Sequence, residues 1–241
     1  MIITLIAGIA VAVLLAILIM KFIPLKLQWL VSIVLLGVAG YLGYSIYDSI
    51  MGPIRFNVEK KVRYAKVIEN LRMIRDAQDA HKTITGKFER NGEKLIKFLD
   101  SAEFAITNTH NEIKQVNKGT KWQPIMVEVE EKVTDTTGYE SVKETVFKGR
   151  DYTQMLKVPD TNEEFKITVG YITKVAGLEV PVFIAKVDKA VILEGLDPHL
   201  VRQEKEAIGG DEVKGEFLSV GSLEEVNSNG NWPPFYDKKV K

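Results

Sequence analysis

Leu27-Gln-Trp-Leu-Val-Ser-Ile-Val-Leu-Leu-Gly-Val-Ala-Gly-Tyr-Leu-Gly-Tyr-Ser-Ile-Tyr47 is a run of 21 residues without one charged side chain. About 20 apolar residues rising 1.5 Å each match the roughly 30 Å hydrocarbon core of a bilayer, so the run predicts a membrane-spanning helix. Toward the N-terminus, Met1 to Met20 is a second uncharged apolar run. Lys21-Phe-Ile-Pro-Leu-Lys26 joins the two, with a helix-breaking proline between two lysines. Trp29, Tyr41, Tyr44 and Tyr47 stand near the run ends, where amphipathic rings favour the lipid–water interface. Residues 1–52 therefore read as a transmembrane helical hairpin. Gly8, Ala12 and Ala16 recur every four residues in its first helix, and Gly37, Gly40 and Gly43 line its second. Small residues let helices approach closely in lipid, within the hairpin or between subunits. No basic region precedes the first run and no A-x-A site precedes Lys21, so this run is expected to be retained rather than cleaved as a signal peptide.

The rest of the chain is chemically unlike this start. The 241 residues hold 32 basic and 32 acidic side chains and no cysteine. Of these charges only Lys21, Lys26 and Asp48 fall within residues 1–52. Zero net charge argues against a general nucleic-acid binder, whose phosphate contacts need a basic excess. Absence of cysteine excludes disulfides, thiolate metal sites, iron–sulfur clusters and a thiol nucleophile. Lys21 and Lys26 argue for a cytoplasmic loop and external termini, whereas Arg55, Lys60, Lys61, Arg63 and Lys66 argue for an internal domain. The first helix usually dominates orientation and long domains cross regardless of charge, so an external domain is the reading adopted.

Gly52-Pro53 is expected to mark the membrane exit, because proline starts a helix well and continues one badly. Residues 53–90 then read as an amphipathic stalk helix. Val58, Val62, Ala65, Ile68, Leu71, Ile74, Ala77 and Ile84 recur at three- and four-residue steps. Val62, Ala65, Ile68, Leu71, Ile74 and Ala77 form its expected partner face. Glu59/Arg63, Arg72/Asp76 and Arg75/Asp79 are i,i+4 pairs of opposite charge, which predicts a self-compensated, solvated polar face. Gly86 ends the helix, and a short helix follows around Glu93–Leu99. Residues 91–241 read as an α+β domain with an antiparallel sheet. Ile125, Val127 and Val129 alternate with glutamates, and Thr134–Gly138 is expected to turn into a strand over Val142–Phe147. Phe165–Tyr171 and Val180–Val187 alternate likewise, around an Ala176-Gly177 turn, and Val213–Val220 and Leu223–Val226 are weaker strand segments.

Val67-Ile-Glu-Asn-Leu-Arg-Met-Ile-Arg-Asp-Ala-Gln-Asp-Ala-His81, with Thr85-Gly-Lys-Phe88 and Leu95…Leu99, resembles the start of a type IV pseudopilin globular domain. Ala77, Ala80, Gly86, Phe88, Leu95 and Leu99 carry that likeness over about 35 residues. The hairpin anchor and the absence of a basic leader with a peptidase glycine depart from that family. A wider likeness, over most of residues 41–237, is to an uncharacterised family of Gram-negative inner-membrane proteins. It rests on Tyr47-Asp-Ser-Ile-Met-Gly-Pro-Ile-Arg-Phe56, Ile74-Arg-Asp-Ala-Gln78, Thr85-Gly-Lys-Phe88, Val180-Pro-Val-Phe183 and Gly230-Asn-Trp-Pro233. Arg75, Asp76, Gly86, Phe88, Asn231, Trp232 and Pro233 are thus the motif residues the resemblance marks. It implies a multi-pass inner-membrane protein with a periplasmic domain, and it implies no activity.

No catalytic constellation emerges from the sequence. His81, His110 and His199 lie far apart with no metal-binding spacing, and Asp76, Asp79 and His81 read as structural rather than as ligands. No G-x-S-x-G or Walker sequence occurs. Gly221-Ser222 reads as a turn, and Trp122 and Trp232, each near prolines, read as packing aromatics. No metal, cofactor or enzymatic activity is expected. The expected function is a structural or assembly component of a bacterial envelope machine, contacting the bilayer and either its own copies or other envelope proteins. The alternative is a membrane-anchored sensory or ligand-binding module, or a cytoplasmic adaptor if the topology is inverted.

Overall fold

The computed structural model describes residues 28–118, 126–207 and 212–237, together with Ala10, Val13, Leu14, Ala16, Ile17 and Lys21. The chain divides into two compact units, Met1–Asn57 and Val58–Lys241. Helix α1 covers Gln28–Thr85 and contributes to both. In the first unit its side chains are uncovered, with Leu36 77% and Tyr41 70% exposed. Over its most apolar 18 residues the mean hydropathy is 1.8 and none is buried, so α1 is long and apolar enough to cross a membrane. Of the other arm of the expected hairpin, Ala10, Val13, Leu14, Ala16, Ile17 and Lys21 are described and helical, whereas Gly8 and Ala12 lie outside the described residues. An added Cβ at Gly37, Gly40 or Gly43 would meet nothing within 4 Å, so no described neighbour packs on that stripe.

Pro53 does not end the helix: α1 runs through it. Proline removes one amide donor and crowds the preceding turn, at a local cost of about 3 kcal/mol. Tertiary packing, which fixes the second half of α1, offsets this cost.

That second half is no stalk. In the unit Val58–Lys241, α1 supplies the centre of the core. Tyr64, Val67, Ile68, Leu71, Ile74 and Ala77 are buried at helical spacing, and Met73 and Ala80 widen the seam. The expected partner face is therefore mostly internal: Ile68, Leu71, Ile74 and Ala77 are buried in their own unit, while Val62 is 50% and Val58 61% exposed. Ala65 is exposed as well. An apolar count passed over Tyr64 and the buried Lys60 and Gln78, which set the true direction of the seam. The polar face is not simply solvated either. Glu59 and Arg63 pair at 3.0 Å as expected, but Arg72 reaches Asp237 at 2.8 Å instead of Asp76.

After α1 come α2 (Gly92–Ser101), a ribbon of β1 (Glu103–Asn117) and β2 (Met126–Ser141), and α3 (Val142–Thr145). Next come β3 (Lys166–Thr173), β4 (Glu179–Asp188), α4 (Lys189–Ile192), α5 (Pro198–Lys205) and β5 (Phe217–Gly221). Both sheets are antiparallel: β1 pairs with β2, and β3, β4 and β5 pair in that order. The α+β architecture is as read. Thr134–Gly138 is strand rather than turn, because β-branched threonines pair across the ribbon and a register shift opposite Ile106/Thr107 absorbs the irregularity. Val142–Phe147 opens as helix α3, with the Thr145 hydroxyl donating to the Ser141 carbonyl. Leu223–Val226 is a bend, since the Ser222 hydroxyl accepts from the amides of Glu224 and Glu225. Gly86, at φ +77°, terminates α1 as expected, and Val175–Gly177 makes the turn before β4.

Candidate functional site

Four charged side chains and two tyrosines gather where α1 meets α4 and α5. Lys60 and Tyr64 stand one turn apart on α1, which points both toward Glu204 of α5. Lys60 Nζ lies 2.6 Å from Glu204 Oε2 and 3.5 Å from Glu212 Oε1. The Tyr64 hydroxyl donates to Glu204 Oε1 at 3.3 Å. Lys189, the first residue of α4, is fully buried. Its ammonium donates to the carbonyls of Glu204 at 2.5 Å and Val213 at 2.7 Å, with Glu204 Oε1 at 3.3 Å. Burial pushes the Lys189 ammonium below the ordinary lysine range, opposed by the Glu204 carboxylate. Burial and then Glu204 push the Tyr64 phenol far above its usual value and that of Tyr236 up to about 12. A lysine of lowered pKa is the raw material of Schiff-base chemistry. Lys189 has no exposed surface, however, and two carbonyls and a carboxylate enclose its nitrogen. The cluster is a lock rather than a reaction centre.

The same logic repeats along α1. Arg63 donates to the carbonyls of Ile192 and Glu194 at 3.1 and 2.8 Å, where the free carbonyls ending α4 favour a cation. Asn70 donates to the Lys157 carbonyl at 2.9 Å, and Arg72 to the Tyr236 carbonyl. Asp76 sits between Arg75 at 3.2 Å and Arg150 at 2.9 Å. The buried Gln78 amide donates to the Glu89 carbonyl at 2.6 Å and accepts from the Glu89 amide at 2.9 Å. Polar side chains on this helix are thus spent on fixing loops.

One cleft has the chemistry of a small binding site. Asp79, Lys82, Phe88, Pro181, Phe183 and Ser228 line a space of about 80 Å³. The rings of Phe88 and Phe183 stand 4.7 Å apart, and Lys82 Nζ lies 4.9 Å over Phe88. Burial raises the Asp79 pKa above the ordinary carboxylate range, against the opposing pull of Arg75 and Lys82. A raised folded pKa means that Asp79 favours folding most fully below its unfolded value and loses that contribution as pH climbs through the folded one. Asp79→Asn is accordingly expected to raise the melting temperature at pH 7 and to lose that advantage near pH 4. Paired thermal melts at the two pH values check the sign.

The marked motif residues separate into structural jobs. Arg75 and Asp76 make the ion triad with Arg150. Phe88 forms a cleft wall. The Asn231 side chain accepts from the Ser219 amide at 3.0 Å and donates to the carbonyls of Phe217 at 2.7 Å and Lys214 at 3.2 Å. Trp232 is buried and its indole donates to Asp237 at 3.1 Å, while Pro233 is buried beside it. These residues close the free edge of β5, where Val220 bridges to Gly230. Trp122 lies outside the described residues. His81 Nδ1 sits 2.6 Å from the Lys87 carbonyl, and among the described residues no three His, Cys, Asp or Glu side chains are grouped to hold a metal. Lys60, Lys189 and Glu204 had no local signal in the sequence. Helix α5 did have one: Asp197 caps it, accepting from the amides of His199 and Leu200, ahead of Pro198 in the first turn. No protein-family model, curated protein or solved structure matches the chain.

Proposed function

We propose that this protein is a membrane-anchored, non-enzymatic assembly component of a bacterial cell envelope, acting through protein–protein contacts of a pilin-like domain outside the cytoplasm. The observation that carries the reading is α1. Its first part is apolar and uncovered, and its later polar side chains are engaged internally instead of converging on a reactive cavity. The order of elements also supports the pseudopilin-like resemblance: α1 ends at Gly86, Phe88 follows, α2 buries Leu95 and Leu99, and antiparallel strands come next. The test is a tag after Lys241, exposed to protease in intact spheroplasts and again after lysis. Digestion before lysis, with cross-linked partners recovered from the membrane, is the expected result. Protection until lysis overturns the external placement, and a strict monomer without cross-linked partners overturns the assembly role.

The cleft at Asp79 favours a second reading, a sensory module for a small ligand. A panel of small amines and carboxylates would then raise the melting temperature by mass action, and Phe88→Ala would abolish the shift. No shift across the panel sinks this reading.

A further inference from the structure

Among the described residues, the side chains of the β1–β2 ribbon are exposed or half-exposed on both faces. Its 15- and 16-residue strands extend to about 50 Å at 3.4 Å per residue, and none of their described side chains is buried. Two-stranded ribbons are marginal in water unless a further strand or a helix covers an apolar face. The register defines such a face: Val116 pairs with Val127, Lys114 with Val129, His110 with Val133 and Ile106 with Gly138. Directly paired residues share a side of the ribbon. The Lys114–Glu131 ion pair at 2.8 Å and the His110–Asp135 contact at 3.8 Å lie on that same side. The opposite side carries Thr107, Thr109, Thr134 and Thr136 beside Ile113, Met126 and Tyr139, and is the more polar of the two. Over both strands there are seven acidic and two basic side chains.

A complementary surface exists elsewhere in the same unit. Val58 and Val62, 61% and 50% exposed, form with Ala65 an uncovered strip of α1, flanked by Lys61 and Lys66. Of the four basic residues from Val58 to Lys66, Lys60 is buried on Glu204 and Arg63 pairs with Glu59, which leaves Lys61, over the Phe235 ring, and Lys66, paired with Asp160 at 2.7 Å, at the surface. Aliphatic side chains one turn apart can lie across valines on alternate strand positions, with lysines beside Glu131 and Asp135. We infer that the valine face of the ribbon receives the Val58–Val62–Ala65 strip of a second copy of this chain. This inference rests on the assembly reading and names its partner. The contact covers both uncovered apolar surfaces and opposes charges of opposite sign.

The absence of cysteine makes the test direct. Val129→Cys and Val62→Cys are placed in separately tagged full-length copies, co-expressed, and oxidised in membranes. A disulfide joining the two tags is expected, severalfold more abundant than with Thr109→Cys on the other ribbon face. Glu131→Lys should reduce the yield severalfold, and Lys61→Glu in the second copy should restore it. Equal yields from both faces, no joined product, or indifference to charge reversal overturns the contact. If the contact fails while the chain still migrates as an oligomer in mild detergent, the assembly reading survives alone. A monomer without cross-links removes both.

Discussion

Glu204→Ala is expected to destabilise the Val58–Lys241 unit by about 3–5 kcal/mol, the range for removing one partner of a buried ion pair. Glu204 answers two ammonium groups, Lys60 at 2.6 Å and Lys189 at 3.3 Å, and accepts from Tyr64. Without it, Lys189 keeps its two carbonyls but both lysines lose their buried counter-charge, and Glu212, at 3.5 Å from Lys60 and about half exposed, is a poor substitute. Such a loss is a large part of the 5–15 kcal/mol that holds a typical domain. Urea denaturation of the full chain in mild detergent, followed by fluorescence of the buried Trp232, measures it. A loss under about 1 kcal/mol, the size of an exposed ion pair, would show that the cluster is not a lock. The double variant Lys189→Met/Glu204→Leu should recover part of the loss, since apolar replacements remove the stranded charge with the pair.

The cluster also sets an alkaline limit. Tyr236 has its folded pKa raised to about 12, and Tyr64 is shifted in the same direction. Unfolded tyrosines release their protons near pH 10, so stability should fall as pH rises from about 10 toward 12. Lys189 acts in the opposite sense below that window. Its lowered folded pKa makes the unfolded chain bind more protons, so its contribution improves as pH approaches the ordinary lysine value.

What the sequence revealed here depended on locality. The apolar run up to Tyr47 and the alternation through β3 and β4 are short-range patterns: from Gln28 the run is helix, and the alternating segments are strands. Pro53 is misleading in isolation because its local cost carries no information on the packing that holds the helix beyond it. The ribbon was half-visible: valines of β2 alternated, but β1 with its asparagines and threonines shows little apolar contrast, and its stability comes from pairing. Lys60, Lys189 and Glu204 were invisible for a stronger reason. Lys60 and Glu204 are 144 positions apart, and charged residues in isolation read as solvated. The motif residues fared between these extremes: Gly86 needs its left-handed backbone, whereas the role of Asn231 in sealing β5 required the fold.

Gly221 ties the sheet edge to the cleft, and Gly221→Ala is expected to cost about 3 kcal/mol. Roughly 1–2 kcal/mol comes from the left-handed conformation and the remainder from overpacking. Its φ is +80°, and an added Cβ would lie 2.3 Å from the Phe183 carbonyl oxygen. No side-chain rotation relieves that contact, since both atoms belong to the paired backbones of β4 and β5, where Gly221 faces Ile184. Gly215, at φ +75° with open space around it, isolates the conformational part, so Gly215→Ala should cost only about 1–2 kcal/mol. Equal losses in the two variants, by denaturant unfolding, would remove the Phe183 carbonyl from the account. A larger loss at Gly221 has a local consequence as well. Phe183 packs on Phe88 across the cleft, so the backbone shift that admits the methyl group must move a cleft wall. Any ligand-induced rise in melting temperature should therefore weaken in Gly221→Ala and persist in Gly215→Ala.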